Sequence, residues 1–591
     1  MATTTTNASV NDTKLAVQSF WLLGLLNNAP WVLMLACATN ISSGGVALVF
    51  LANQAPGLLT KLTAPFWFHK VSYRKRMKMA SVAMGLACFL VGYGGLFNDE
   101  MSSEEEGDHQ SANHDNTTTH ARAQWGLMLE LLGVSFTSFQ CSLGEASLLA
   151  LAGKFDSSLL PQLSSSVASL SSSLDSYAAV DNFNNNSVRA QHDDNDGHFS
   201  QEDYQGHVDD DEDNQSAGIM KRSEKQQQRK CITAFASGTG LAGIIGYAYK
   251  SLLAELLGWG LSYIVWSAIL FAIAYYCIYC TGLYELEIRL EAAAAAAMQR
   301  NRLMNDESRM MYSSAAAEEE EVELQDATTE QKSSLEMVTQ PQDDDEEEEN
   351  DSPPLLPQHS SELTTTTTTK SVHDMTACER FQTVLSLWPY MIPLFFVYMT
   401  EYMMVRGRTL FPSNDALLHK LSTMTTHTYL LLYLLNEQQA GIWPAIGFPV
   451  TSASARAQFY HYANWTYQVG VFISRSSGNL LTVSLTILWV MPMLQGFNLF
   501  LFWLISIHHF WYDYSLLLMC FIAGLLGGGV YVQGYNRINA DMPKELREFA
   551  ISSASVADSF GILVADISSL FIQSCIYERN GIDGAVVNCP L

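Results

Sequence analysis

The chain has 591 residues, is 48% hydrophobic and 16% charged, and carries a net charge of −28. These values conflict for one soluble domain and agree for a membrane protein whose acid sits in solvated loops, at 104–106, 209–213, 318–321 and 343–349. No basic face is present to neutralise phosphates, which argues against nucleic-acid binding.

A membrane helix needs about 20 mainly apolar residues. Eleven stretches satisfy this: about 15–38, 44–67, 78–97, 125–153, 231–249, 258–283, 383–405, 457–478, 480–506, 513–535 and 548–577. They predict an all-α polytopic membrane protein with about 11 transmembrane helices. The second and eighth are the least apolar, the second being interrupted by Pro56, Lys61 and Pro65 and the eighth starting from a polar aromatic run. Residues 1–14 are polar and lack the layout of a cleaved signal peptide, so the first span acts as its own insertion signal. The first four spans fill 15–153, and spans five and six fill 231–283. Spans seven to eleven fill 383–577, with a lumenal insertion at 410–455 whose apolar run 429–435 is too short to cross and reads as an interfacial or re-entrant helix.

Orientation follows from Lys and Arg in short loops. Lys70, Arg74, Lys75, Arg76 and Lys78 follow span two, Arg537, Lys544 and Arg547 follow span ten, and Arg475 ends span eight. All fall on the cytosolic side if the N-terminus is cytosolic, with Arg406 and Arg408 as exceptions. The acidic loop 98–124, with a glycosylation sequon at Asn116, is then lumenal, and so is the tail 578–591. The insertions 154–230 and 284–382 are cytosolic and acidic, with too little apolar surface to offset ordering entropy. Within the second, 285–304 reads as a helical extension of span six. Asp351, Leu355 and Leu356 fit an acidic-dileucine sorting signal that adaptor proteins would read as an extended strand; such short patterns also arise by chance in loops.

Ten cysteines are scattered without a disulfide framework or zinc spacing, and Cys277 and Cys280 read as helix-packing residues. Glycines at 238, 240, 243, 246, 470, 524 and 527–529 lie in apolar helices and read as close packing, not as a phosphate loop. His508 and His509 sit near a lumenal end, where a surface role competes with pH sensing. No nucleophile–base arrangement supports an enzyme, and no cofactor or metal is implied.

The intramembrane polar set is Asn27, Asn28, Lys61, Glu145, Thr239, Glu401, Tyr402, Gln468, Arg475 and Asp558. Carboxylates in a bilayer are costly to ionise unless paired, which makes Glu145, Glu401 and Asp558 candidate proton carriers. Lys61 and Arg475 are candidates to hold an anion, the guanidinium fork suiting phosphodiester oxygens. The competing reading is that Glu145 or Glu401 pairs with Lys61 or Arg475 to lock the helices, and that Arg475 snorkels to the cytosolic surface.

Short motifs recur in order along the spans: F-W-L-L-G-L-L-N-N at 20–28, K-L-T-A-P at 61–65, S-L-G-E at 142–145 and S-G-T-G-L-A-G at 237–243. Y-M-T-E-Y at 398–402, Y-Q-V-G-V-F-I-S-R-S-S at 467–477, G-L-L-G-G at 524–528, R-E-F-A at 547–550 and D-S-F-G at 558–561 complete the set. This set resembles the battenin family of lysosomal and vacuolar membrane proteins, over most spans and none of the insertions. The chain departs from that family at Asn53, where an acidic residue is usual, at Ala523, where a glutamate is usual, and at its C-terminus, which lacks a prenylation box.

The resemblance implies a major-facilitator-like fold of two helical bundles around a midplane cavity with alternating access. It also implies residence in the lysosomal or vacuolar membrane and a link to glycerophosphodiester clearance, organelle pH and basic amino acid balance. The sequence reading is therefore a transporter, not an enzyme. Its partners would be a small polar or anionic solute, protons, the bilayer and adaptors. The rivals are a non-transporting scaffold for endolysosomal trafficking and an intramembrane lipid-modifying enzyme.

Overall fold

A computed structural model describes residues 2–37, 46–105, 116–158, 230–292, a few positions up to 303, 375–405, 441–582 and 589. Every regular element among them is helical. Residues 1–285 and 370–591 form one compact unit. Residues 286–369 form another, of which 286–292 are helical.

The first unit begins with α1 (Ala2–Ala36), α2 (Val46–Trp67), α3 (Tyr73–Glu105), α4 (Asn116–Ser158), α5 (Lys230–Ser251), α6 (Leu261–Ser267) and α7 (Ile269–Ile278). It continues with α8 (Ala377–Ser386), α9 (Trp388–Val405), α10 (Ala453–Ser476), α11 (Leu485–His508), α12 (Leu517–Asp541), α13 (Lys544–Ala554) and α14 (Val556–Arg579). Among the described residues, eight helical stretches are long and apolar enough to cross a membrane, and a ninth joins them if the bent pair α8–α9 is one span. The protein is thus an all-α, multi-pass membrane protein. Helices α2 and α10, at the two least apolar expected spans, are regular but fall outside that set.

Local chemistry sets the helix ends. Asp156, near the end of α4, accepts the Cys231 and Ile232 backbone N–H groups at 2.8 and 3.1 Å, satisfying donors that the first turn of α5 leaves open. Thr376 and Glu379 form a capping box on α8. The 63° bend between α8 and α9 falls where Pro389, lacking an N–H, cannot bond back to the preceding turn. Ser452 and Ser484 cap α10 and α11 by accepting the Ala455 and Ile487 N–H groups. His509 ends α11 in the left-handed region at φ 53°.

Helices α1–α7 pack mainly on one another, and α8–α12 with α14 do the same, giving two bundles, while α13 lies mainly against α4 and α2. Close approach inside each relies on glycine. A Cβ on Gly238 would lie 2.0 Å from the Trp21 carbonyl oxygen, and one on Gly24 2.3 Å from that of Phe235, so α1 and α5 touch backbone to backbone. Gly470 and Gly524 serve α10 and α12 in the same way. The bundles meet where α5 packs on α10 and α12, and where α2 and α4 face α13 and α14. One bundle core gathers Leu33, Val49, Val91 and Val265, and the other gathers Trp443, Phe459, Phe502 and Leu516.

Several expectations shift. The polar N-terminal segment is helical from Ala2 and continuous with the first span. The loop expected at 98–124 shrinks, because α3 runs to Glu105 and α4 starts at Asn116. Of the insertion 410–455, expected to be lumenal, residues 441–455 are described, and they carry Trp443 fully buried in the bundle core; the run 429–435 lies outside the described residues. Residues 159–229, most of 284–382, and Asp351, Leu355 and Leu356 also lie outside them. Cysteine spacing gave no framework, yet Cys575 on α14 is disulfide-bonded to Cys589.

Candidate functional site

Helix α2 carries Lys61 into the contact between bundles, where its side chain is 3% exposed. Its ammonium donates to Glu145 of α4 at 2.7 Å and to Asp558 of α14 at 2.9 Å. Tyr531 of α12 donates to the other oxygen of Glu145 at 2.7 Å, and the Ser559 hydroxyl donates to Asp558 at 3.1 Å. One cation therefore faces two carboxylates drawn from opposite bundles. A buried charge group of this kind is sustained only because its remaining lone pairs are filled by hydroxyls.

Arg475, in the last turn of α10, is different. One terminal nitrogen donates to the Thr239 hydroxyl of α5 at 2.7 Å and the other to the Tyr398 hydroxyl of α9 at 2.9 Å. Its guanidinium carbon sits 4.1 Å from the centroid of the Tyr531 ring, a cation–π contact. Among the described residues it has no carboxylate ion pair, and its Nε, which is buried, has no partner. The guanidinium points inward to these partners and does not snorkel. Tyr531 thus joins the two centres, its hydroxyl on Glu145 and its ring under Arg475.

Glu401 of α9 is 3% exposed and accepts a hydrogen bond from the Tyr467 hydroxyl of α10, while its other oxygen is buried without a partner. Gly527 makes room for it, since a Cβ there would lie 1.9 Å from that oxygen. Glycines on α5 likewise admit the polar side chains of α10: a Cβ on Gly243 would lie 2.0 Å from Gln468, and one on Gly240 3.3 Å from Arg475.

These groups surround a cavity of about 110 Å³. Asn28, Lys61, Glu145, Thr239, Tyr402, Gln468, Arg475 and Asp558, all expected from sequence, line it. Glu401 stands behind Tyr467, which lines it. Asn27 does not line it: its amide donates to the Cys141 carbonyl at 2.9 Å and accepts from Gln140 at 3.0 Å, clamping α1 to α4. Sequence reasoning did not single out Asn53, Gln54, Tyr398, Tyr467 or Tyr531 as site residues, since a neutral side chain in a span carries no charge to mark it. No group of His, Cys, Asp and Glu among the described residues could hold a metal ion. Asn116 opens α4, with its side chain outside the described ones.

Toward the end of the bundles that carries the basic loops, further bonds close the contact. Arg76 reaches Glu548 at 3.5 Å and Ser147 at 3.3 Å, with its guanidinium 4.0 Å from the Tyr73 ring centroid. Asn536 donates to Thr233 at 3.4 Å, and the Ser237 and Ser476 hydroxyls share a bond at 2.8 Å.

The sequence model of the CLN3 protein family matches residues 18–189, 222–435 and 408–578, which is most of the chain. The chain belongs to the CLN3 protein family. This agrees with the battenin resemblance of its motifs. Protein BTN1 of Eremothecium gossypii is 35% identical over 156 residues, covering 24% of this chain and 36% of that protein. Protein btn-1 of Neurospora crassa is 32% identical over 189 residues, covering 32% and 33%. Battenin of Canis lupus familiaris is 33% identical over 147 residues, covering 24% and 31%. The aligned part thus spans about a third of each of these relatives' length. Among solved structures, a crystal structure of a D-xylose-proton symporter aligns over 96% of this chain and 90% of its own, at 9% identity and a TM-score of 0.37.

Proposed function

We propose that this CLN3-family protein is a transporter that exports a small anionic, hydroxyl-bearing solute of the glycerophosphodiester type from an acidic lysosomal or vacuolar lumen. The observation that carries the reading is Arg475: a guanidinium in a polar cavity between two bundles, held by hydroxyls and no carboxylate. Such a group costs several kcal/mol to keep in a bilayer without a function, and its fork suits a phosphodiester. Lys61, by contrast, is already neutralised by Glu145 and Asp558 and serves to couple the bundles. Glu401, bonded to the Tyr467 hydroxyl and in no ion pair among the described residues, would carry the proton.

In this reading the basic loops face the cytosol, the bonds of Arg76 and Asn536 form the cytosolic seal, and breaking them releases solute. Organelle pH and basic amino acid balance then depend on flux coupled to protons, and adaptors reading Leu355 and Leu356 deliver the protein. The test is flux through the purified full-length chain in liposomes. A labelled glycerophosphodiester should cross acid-loaded vesicles faster than empty ones, and glycerol should not. Flux of neutral solutes alone, or of none, refutes the proposal.

A further inference from the structure

Helix α2 presents two adjacent amides, Asn53 and Gln54, to the cavity that Arg475 also lines. Asn53 is 1% exposed and Gln54 6%. Both polar atoms of the Asn53 side chain and the Gln54 amide nitrogen are buried without a hydrogen-bond partner among the described residues. Asn28, by contrast, donates to the Gly24 carbonyl at 3.4 Å and accepts from the Cys141 thiol at 3.3 Å, while Gln468, the other amide lining the cavity, is only partly buried. A buried amide that bonds nothing is unfavourable, and natural structures rarely leave one so unless a ligand or water fills it.

The local backbone is built to hold this pair in place. Pro56, three residues after Asn53, removes one N–H from the ladder of α2. The Trp31 indole donates to the Asn53 carbonyl at 3.4 Å, tying this turn to α1, and the Gly57 N–H donates to the Ser138 hydroxyl at 2.9 Å, tying it to α4. The main chain is therefore fixed to its neighbours while the amide groups remain uncommitted.

We infer that Asn53 and Gln54 form a hydroxyl-recognising subsite, which reads the polyol portion of a solute whose anionic portion is held by Arg475. This rests on the proposed transport of such a solute and adds where its specificity lies. An amide offers two donors and an acceptor, matching a hydroxyl that both donates and accepts. Being neutral, the pair does not compete with the anion for the guanidinium as a carboxylate would. Rejection of an analogue lacking the hydroxyls follows, because the analogue would leave these buried polar groups unpaired.

The experiment is binding to the purified full-length chain by calorimetry, with two probes that share an anion: glycerol methyl phosphodiester and dimethyl phosphate. The wild type should prefer the glycerol probe by about tenfold or more, which is ~1.4 kcal/mol. The N53A/Q54A variant should lose that preference while holding its affinity for dimethyl phosphate within about twofold. Because neither amide bonds the protein through the unpartnered atoms, its melting temperature should not fall. Retained preference in the variant, or no preference in the wild type, overturns the subsite while leaving anion transport standing. Failure of the wild type to bind either probe overturns both. Arg475→Ala should abolish binding of both probes; retention of dimethyl phosphate binding there would refute the anion site alone.

Discussion

Replacing Lys61 by methionine removes the cation that pairs with Glu145 and Asp558 at 2.7 and 2.9 Å, with the two carboxylate side chains 12% and 5% exposed. Breaking a buried ion pair by deleting one partner costs about 3–5 kcal/mol, chiefly because a charge is left uncompensated. Here two carboxylates lose their partner at once, so K61M should fall at or beyond the upper end of that range. The triple variant K61M/E145Q/D558N removes the charges together. A glutamine at 145 still accepts the Tyr531 hydroxyl, so most of the loss should return. Glu548→Gln is the control, since its pair with Arg76 is 3.5 Å long and its side chain is 43% exposed; it should cost no more than ~1 kcal/mol. Thermal unfolding of the detergent-purified chain, followed by fluorescence, should rank stability as wild type, then E548Q, then the triple variant, then K61M. A K61M protein as stable as wild type, or a triple variant no better than K61M, would refute the coupling of the bundles through Lys61.

Gly238→Val should abolish folded yield, since even its Cβ would sit 2.0 Å from the Trp21 carbonyl, whereas Gly496→Ala, with nothing within 4 Å of the added atom, should change stability by less than ~0.5 kcal/mol. Size-exclusion profiles of the two variants check this, and a monodisperse G238V protein would contradict the backbone contact of α1 and α5. Replacing Leu355 and Leu356 by alanine should move the protein toward the plasma membrane without unfolding it; unchanged organelle staining would mean that another signal dominates. Protease added to sealed organelles should cut 159–229 and the segment after 303 and spare 106–115, and protection of the long insertions would reverse the orientation.

Hydropathy made most of the helical order legible, because the bilayer demands long apolar runs and little else. It was least clear at α2 and α10, and for a reason that bears on function. Those helices carry Asn53, Gln54 and Lys61, and Gln468 and Arg475, so the polarity that blurs them as spans is the polarity that lines the cavity. The helix ends of α3 and α4 were misjudged because hydropathy registers the bilayer, while the backbone ladder continues beyond it. Charged residues announced the site, being costly in a membrane. Their partnering stayed hidden: nothing in sequence showed that Lys61 would take both Glu145 and Asp558 and leave Arg475 to Thr239 and Tyr398. Tyr398 and Tyr467 open two of the quoted motifs, yet their bonds to Arg475 and Glu401 stayed hidden, and Tyr531 gave no signal, since a tyrosine in an apolar helix is ordinarily part of the core. The Cys575–Cys589 bond was missed because two cysteines 14 residues apart, one in a span and one in the tail, match no spacing rule.

The central claim is that Arg475 is the anion-holding group, and flux in liposomes through wild type, Arg475→Ala and Arg475→Lys tests it most directly. All three should be loaded at equal folded amounts, with a glycerophosphodiester as solute. The alanine variant should show no flux above empty vesicles. The lysine variant should recover little, because it keeps the charge and loses the planar fork that spans Thr239 and Tyr398. Undiminished flux in a well-folded Arg475→Ala protein would contradict the account.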